Sequence, residues 1–537
     1  MSPLPTRPAA PRQILTHILD QPKLVAAVQA LPARALGKLI DHIGLEDAGE
    51  IVALATTDQL KGIFDDDLWR SERPGKDESF DANRFALWLE IMLEAGEEFA
   101  AHKLAELPED LVTLALSKHI LVINIEALAI EMSDRNADDD DGMTEKALES
   151  CLCEEIDEYR IVSRNHDGWD AILSVLLALD RDHHDFLARV LEHCCAMAAE
   201  YIVDNGGLYQ VLTSDEMLES DVGADREERR AEEGFIAPSS AASFLALART
   251  TKLADIIAAK EHDPVTHAYF RSLRGPSHDK STRKDIEAQS ATEAAEASTL
   301  VEMLRDAEVL PPSAPMLLLQ EDTGTPSPKS GDGFVAAMRE LRAQAADIHG
   351  RRMEELAYLA NVLAAGCSIE GRALRPLEAA HATVAACNLG IEHLLHDEPA
   401  HATAVVVLQR NGVDKLFRIG WHLLTQQVVL PAARAFEKRL VHEAREGTDR
   451  ERAHRLEQAS RTLHTTTAAG KPWTALGKLA DLDSDLEVAM LGALVGLIDE
   501  CPSLRGQLAG QAGATPEIQC IATRQQLQLV QAFLAEL

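Results

Sequence analysis

The sequence predicts a mainly α-helical protein with an N-terminal short-helix repeat superhelix, a small β-hairpin element and a C-terminal helical domain. Three observations carry this prediction. Leu and Ala abound, and apolar residues recur three and four positions apart along most of the 537 residues. Pro, Thr and Asp start signals recur at short intervals near the N-terminus. Strand-forming text is confined to two short strings.

Residues 1–12 read as a disordered lead, with Pro3, Pro5, Pro8 and Pro11 and without the apolar stretch of a secretory signal. Residues 13–117 read as a helical-repeat region. Leu31-Pro32 opens a segment that ends at Ile43, and a second runs from Gly44 through Ile51, Val52 and Leu54. A third opens at Thr56-Thr57-Asp58 and carries Leu60, Ile63 and Phe64, and Leu107-Pro108-Glu109-Asp110 opens a later one. Each is about two helical turns behind a start signal. A helix that short is unstable alone and must stack on its neighbours. Two longer helices, roughly 81–96 and 97–107, lie between.

Residues 118–270 read as a helical region with a small β element and an acidic loop. ILVINI (Ile120–Ile125) and EYRIVS (Glu158–Ser163) are the strand-forming strings and predict an antiparallel pair. A long helix follows over about 169–204, interrupted near Asp180–His183. A polar helix follows Asn205-Gly206-Gly207, and a turn spans Gly234–Pro238. Ser239 or Ser240 is placed to cap the next helix. Residues 271–332 read as a linker, largely disordered, because large apolar residues are scarce and Pro, Ser and Gly accumulate. The C-terminal helical domain occupies 333–537.

The charge bounds the function. With 88 acidic against 52 basic residues the net charge is −36, a repulsive field for nucleic acid. Residues 401–537 balance 15 acids with 15 bases, so the excess lies in the first 400. It concentrates in Asp134–Glu158, with 11 acids and two bases, and in Thr213–Gly234, with nine and three. Such a surface suits basic partners or cations, or serves solubility alone. The longest apolar run, Val488–Ile498, is 11 residues, too short to span a bilayer. The hydrophobic stretch Ala402–Leu430 contains Arg410, Asp414, Lys415 and Arg418 and reads as a core helix pair. The eight cysteines are scattered, and Cys367, Cys387 and Cys520 sit in apolar helical text, as buried free thiols of a cytoplasmic protein do.

Several clusters invite a chemical reading. Asp134, Asn136, Asp138 and Glu145 fall at calcium-loop positions 1, 3, 5 and 12, but position 6 is Asp139 rather than the Gly the turn needs. Cys151, Cys153, Cys194 and Cys195, with His183, His184 and His193, lack the spacing that converges thiolates on zinc. His393 and His396 with Glu398, and His401 beyond, form the densest histidine group, at a helix end before Pro399. There histidines also complement the helix dipole without metal. No phosphate loop, nucleophile elbow or zinc-protease motif occurs. These readings assign no catalytic residue, no metal ligand and no cofactor. Tyr358 and Asn361 share one helix face, Asn388 and Glu392 another, with Arg372, Arg375 and Arg418 nearby in apolar text. They form either a buried polar network that sets helix register or a pocket lined by Arg375, Asn361, Asn388 and Arg418.

Two resemblances follow. The short helices of residues 31–67 resemble the intracellular N-terminal superhelical domain of bacterial magnesium transporters. ELAYLANVLAAG (Glu355–Gly366), RPLEAAHATVAACNLGIE (Arg375–Glu392) and LFRIGW (Leu416–Trp421) resemble an uncharacterised bacterial family, the domain of unknown function 6178. Further strings of that likeness are DNGGLYQVLTSDEMLESDV (Asp204–Val222), REERR (Arg226–Arg230), GFIAP (Gly234–Pro238) and DPVTHAYF (Asp263–Phe270). This resemblance implies no activity.

The sequence therefore leads to a non-enzymatic interaction or scaffold protein, because stacked short helices make extended binding surfaces. Its expected partner is a protein, with a basic segment as the candidate contact, and with neither nucleic acid nor membrane insertion. One alternative is an enzyme or ligand-binding regulator with a polar pocket in the C-terminal helical domain. Another is a divalent-cation sensor. Nothing in the sequence sets the oligomeric state.

Overall fold

The computed structural model describes residues 24–71, 73–126, 152–202, 213–232, 234–259, 332–397, 403–446, 450–479, 488–505, 508 and 519–537. The fold is mainly helical with small antiparallel strand pairs. The chain divides into two compact units. Among the described residues, one holds those up to Arg70 and from Glu78 to Arg229; the other holds Ser71–Asp77 and those from Arg230 onward.

The first unit opens with the short helices. These are α1 (Leu24–Gln29), α2 (Ala33–Ile43), α3 (Gly49–Val52) and α4 (Thr57–Asp67), with a 3₁₀ turn at Leu45–Asp47. Pro32 precedes α2, and Thr56 caps α4 by accepting from the Gln59 N–H at 3.2 Å. Gln59 does more than complete that capping box. Its Nε2 donates to the Val28 and Leu31 carbonyls at 2.8 and 2.7 Å, tying α4 to the end of α1. Buried Leu36, Leu39, Leu60 and Phe64 join these helices to one core. The strand pair β1 (Trp69–Arg70) and β2 (Ser79–Phe80) leads into α5 (Ala82–Glu94), α6 (Glu97–Glu106) and α7 (Glu109–His119).

Three strands follow where two were expected. β3 (Ile120–Asn124) and β5 (Tyr159–Ser163) pair antiparallel, with Val122 opposite Ile161. β4 (Cys153–Ile156) pairs with the other edge of β5, making the order β3-β5-β4. CEEI carries two exposed glutamates, so its strand state comes from pairing with β5 rather than from an apolar alternation. The two-residue turn Asp157-Glu158 closes this hairpin with Asp157 at φ 50°, a conformation that Asp tolerates better than most residues. The calcium-loop positions Asp134–Glu145 lie outside the described residues. The expected interruption is real: α8 (Trp169–Asp182) stops at His183, and α9 (His184–Ile202) starts at once. α10 (Ser214–Glu232) is the expected polar helix.

The second unit begins with α11 (Pro238–Thr250) and α12 (Leu253–Ala258). The α11 cap is Ala237 rather than Ser239 or Ser240. Pro238 takes the first helical position, where its missing N–H leaves no donor to satisfy. Then come α13 (Asp332–Gln344), α14 (Ala346–Gly366), the hairpin β6 (Ser368–Ile369) and β7 (Arg372–Ala373), and α15 (Pro376–Asp397). The helix pair expected over 402–430 is α16 (Ala404–Arg410) and α17 (Val413–Leu424). A π-helical turn, Thr425–Val429, joins α17 to α18 (Leu430–Glu446). Pro431 stands just beyond it, where it can give no N–H to an α-helical ladder. The unit closes with α19 (Arg450–Ala468), α20 (Leu476–Leu479), α21 (Val488–Ile498), the pair β8 (Ser503–Leu504) and β9 (Gln519–Cys520), and α22 (Arg524–Glu536).

The axis of this unit is the crossing of α15 and α17. A Cβ at Gly390 would overlap the Leu416 carbonyl, and one at Gly420 would overlap the Ala386 carbonyl. The two helices thus touch backbone to backbone at reciprocal points one turn apart. Phe417 stacks on Trp421 at 5.5 Å and on Phe244 of α11 at 6.1 Å. Gly390→Ala and Gly420→Ala are each expected to cost more than about 3 kcal/mol, since no side-chain rotation relieves a clash with backbone. Urea titrations followed by tryptophan fluorescence measure this, and a loss below about 1 kcal/mol contradicts the crossing.

Candidate functional site

Several buried polar and charged residues of the second unit hold segments together. Arg352 donates from Nε to the Leu408 carbonyl at 2.9 Å and from Nη1 to Glu355 at 2.7 Å. The other Glu355 oxygen accepts the Val413 N–H at 2.7 Å, so this buried pair clamps the break between α16 and α17. Asn388 accepts from the Phe334 N–H at 2.9 Å and donates to the Ala522 carbonyl at 2.9 Å and to Glu392 at 3.1 Å. Glu392 in turn accepts the Arg524 N–H at the start of α22. Asn361 is exposed and donates to the Gly234 carbonyl at 2.9 Å. Arg375 is exposed and offers its backbone N–H to Glu378; Arg418 is half-buried. Arg372 pairs with Glu378 through both terminal nitrogens.

A second clamp joins the β6–β7 hairpin to the end of α21. Glu500 accepts from the Ser368 N–H and hydroxyl at 3.0 and 2.9 Å and from Arg249 at 3.0 Å. The Arg249 guanidinium lies 4.4 Å from the Trp473 ring centroid and 5.4 Å from that of Trp421. Asp499 accepts the Glu370 and Glu500 N–H groups at 2.8 Å each. Burial pushes the Asp499 carboxyl up to about 6, although those N–H groups and Arg505 pull it down. Cys367, Cys387 and Cys501 are buried free thiols and Cys520 is half-buried. Burial holds Cys367 and Cys387 well above the ordinary thiol range.

In the first unit the sequence-nominated Cys and His residues separate. Cys194 is buried against the Thr113 carbonyl, with its thiol pushed up to about 12 by desolvation, while Cys153 is exposed on β4. His193 lies 3.7 Å from Glu109. His183 stacks on His102 at 5.8 Å. His393 and His396 lie in the last turns of α15, the first half-buried and the second exposed. Cys151, Glu398 and His401 lie outside the described residues.

His184 is different. Its Nδ1 lies 3.0 Å from Asp180 Oδ1 in the last turn of α8, and its Nε2 lies 3.6 Å from Asp157 Oδ2 on the β4–β5 turn. One donor atom from each of the three residues falls within 4.8 Å of the others. The hydrogen bond to Asp180 and the Asp157 charge raise the His184 pKa. The Asp180–His184 spacing of four is legible in the sequence. Asp157 is not, because a hairpin turn brings it there. A shallow open hollow of about 360 Å³, lined by Glu90, His166, Trp169 and Asp170 among others, contains none of the residues that the sequence singles out.

The other prominent feature is the electrostatic sorting of α10. Arg226 points inward, donating to the Asp65 carbonyl at 2.5 Å, pairing with Glu78 at 2.5 Å and lying 4.9 Å from the Trp69 ring centroid. Arg229 makes a two-point pair with Asp65, at 2.8 and 2.7 Å. Asp215 and Glu219 hold Lys118 at 2.8 and 3.1 Å. Asp221, Asp225, Glu227 and Glu228 remain exposed, and Asp221, Asp225 and Glu228 share one helix face.

Residues 6–201 match the model of a family of unknown function (DUF6178), so the family resemblance holds over that stretch. No curated protein and no solved structure matches the chain, and the likeness of residues 31–67 to the magnesium-transporter domain gains no support. Among the described residues no helix is long and apolar enough to cross a membrane.

Asp499 sets a pH dependence. Its folded pKa of about 6 exceeds the ordinary 3.8, so folding takes up a proton between those values. Its contribution is least favourable at neutral pH, improves as pH falls through 6, and is complete below 3.8. From pH 7 to pH 5 the wild type should gain about 1 kcal/mol relative to Asp499→Asn in urea titrations. A difference that does not change with pH contradicts the assignment.

Proposed function

We propose that this is a non-enzymatic, cytoplasmic interaction or scaffold protein whose acidic face takes a basic segment of a partner protein. The observation that carries this reading is the sorting of α10. Two of its three arginines, Arg226 and Arg229, are engaged by Asp65, Glu78 and Trp69, while Asp221, Asp225, Glu227 and Glu228 face solvent. A helix whose acids at Asp221, Glu227 and Glu228 face solvent while Arg226 and Arg229 are held by other groups presents a net negative strip, which suits Lys- or Arg-rich chains. The stacked short helices add a rigid base. The alternative pocket draws less support. Asn388 is occupied by Phe334, Glu392 and Ala522, Asn361 by Gly234, and Arg375 stands exposed.

The test is fluorescence anisotropy with a labelled peptide of alternating Lys and Ala. The wild type should bind it, with affinity falling as salt rises. The variant Asp221→Asn/Asp225→Asn/Glu228→Gln should bind at least about 10-fold more weakly at an unchanged melting temperature, because these side chains are exposed. Equal affinity in the two proteins, or no binding by the wild type at low salt, overturns the reading.

A further inference from the structure

We propose that Asp157, Asp180 and His184 form a binding site for a divalent ion of the zinc class. The three donors come from three separate pieces of structure: the β4–β5 turn, the last turn of α8 and the first residue of α9. They are not neighbours along one acidic run, and one donor is an imidazole. Their ligand atoms already lie within 4.8 Å of one another. Around a tetrahedral ion with bonds of about 2.1 Å, donor atoms stand roughly 3.4 Å apart. The cluster therefore needs to close by up to about 1.4 Å, which side-chain rotation at exposed positions supplies.

The donor set selects the ion. Two carboxylates bring a formal charge of −2 to match a divalent cation. An imidazole nitrogen is a common ligand for zinc and its first-row neighbours, whereas calcium and magnesium take oxygen. Asp157 and His184 are exposed and Asp180 is half-buried. Three protein donors leave the remaining positions to water, so the site is open.

The corner is built to hold these donors in place. α8 ends at His183, whose ring stacks on His102 of α6 at 5.8 Å. His184 follows as the first residue of α9, which fixes its backbone beside Asp180. Asp157 is held by the register of β4 on β5, with Ile156 opposite Tyr159 on either side of the turn. A metal here would cross-link the sheet to the helix corner. This inference does not use the α10 surface, so it stands or falls apart from the interaction reading.

The full-length protein, stripped with chelator, is titrated with ZnCl₂ by calorimetry at fixed ionic strength. Wild type should take up one equivalent at least about 10-fold more tightly than Asp157→Asn and His184→Gln. Asp157→Asn suits the test because Asn tolerates the turn conformation, and the metal-free melting temperature checks that both variants fold. CoCl₂ in place of zinc should give visible d–d absorption in wild type that both folded variants lose. Excess MgCl₂ should leave the zinc isotherm in place. The same isotherm in wild type and both variants, meaning zinc on other surface histidines only, overturns the proposal, as does the absence of a one-equivalent phase.

Discussion

The backbone contact between α15 and α17 is the constraint on which the second unit depends. Two helices that meet at Gly390 and Gly420 are closer than side chains normally permit, and the approach leaves no freedom to slide. Everything attached to those helices inherits that register. Asn388 stands next to the crossing and reaches the Phe334 N–H and the Ala522 carbonyl, so α13 and the lead into α22 dock on the same helix. Glu392, one turn further, receives the start of α22. On α17 the same positioning brings the Val413 N–H to Glu355. A buried charge pair such as Arg352–Glu355 gains little over an apolar pair, but losing one partner costs about 3–5 kcal/mol. Its effect is to enforce one arrangement of the α16–α17 break.

The first unit solves a different problem, that of helices too short to stand alone. Gln59 links the cap of α4 to the carbonyls that end α1, so these two short helices are tied by hydrogen bonds as well as by their shared core. At the C-terminal end of α4 Asp67 accepts from Arg84 and from the Trp88 indole of α5 at 2.7 and 2.6 Å. The inward turn of Arg226 and Arg229 belongs to the same economy of polar groups. What stabilises α10 internally also decides what it shows outside, and the acidic strip is a by-product of satisfying Asp65 and Glu78. The His184 corner is similar, because the helix break that ends α8 also sets the imidazole beside Asp180, with Asp157 brought up by the β4–β5 turn.

The helical class, the succession of short helices over residues 31–67, the break near Asp180–His183 and the pairing of ILVINI with EYRIVS were legible in the sequence because each rests on local pattern: apolar period, start signals and β-branched runs; the even two-turn length was not, since α2 and α4 run 11 residues and α3 only four. The third strand was not, since CEEI becomes a strand only with β5 beside it. The glycines at 390 and 420 looked like any others in helical text, and their meaning lies in a partner helix 30 residues away. Asp180 and His184 are visible as a spaced pair. Asp157 joins them through the β4–β5 turn, to which no local pattern points. The sequence by itself determined which segments are helical and how much negative charge they carry, because these depend on neighbours within a few residues. The tertiary structure alone decided which carboxylates are paired inside and which meet solvent, because a charge's partner is set by proximity in space, and proximity is settled only when the helices pack.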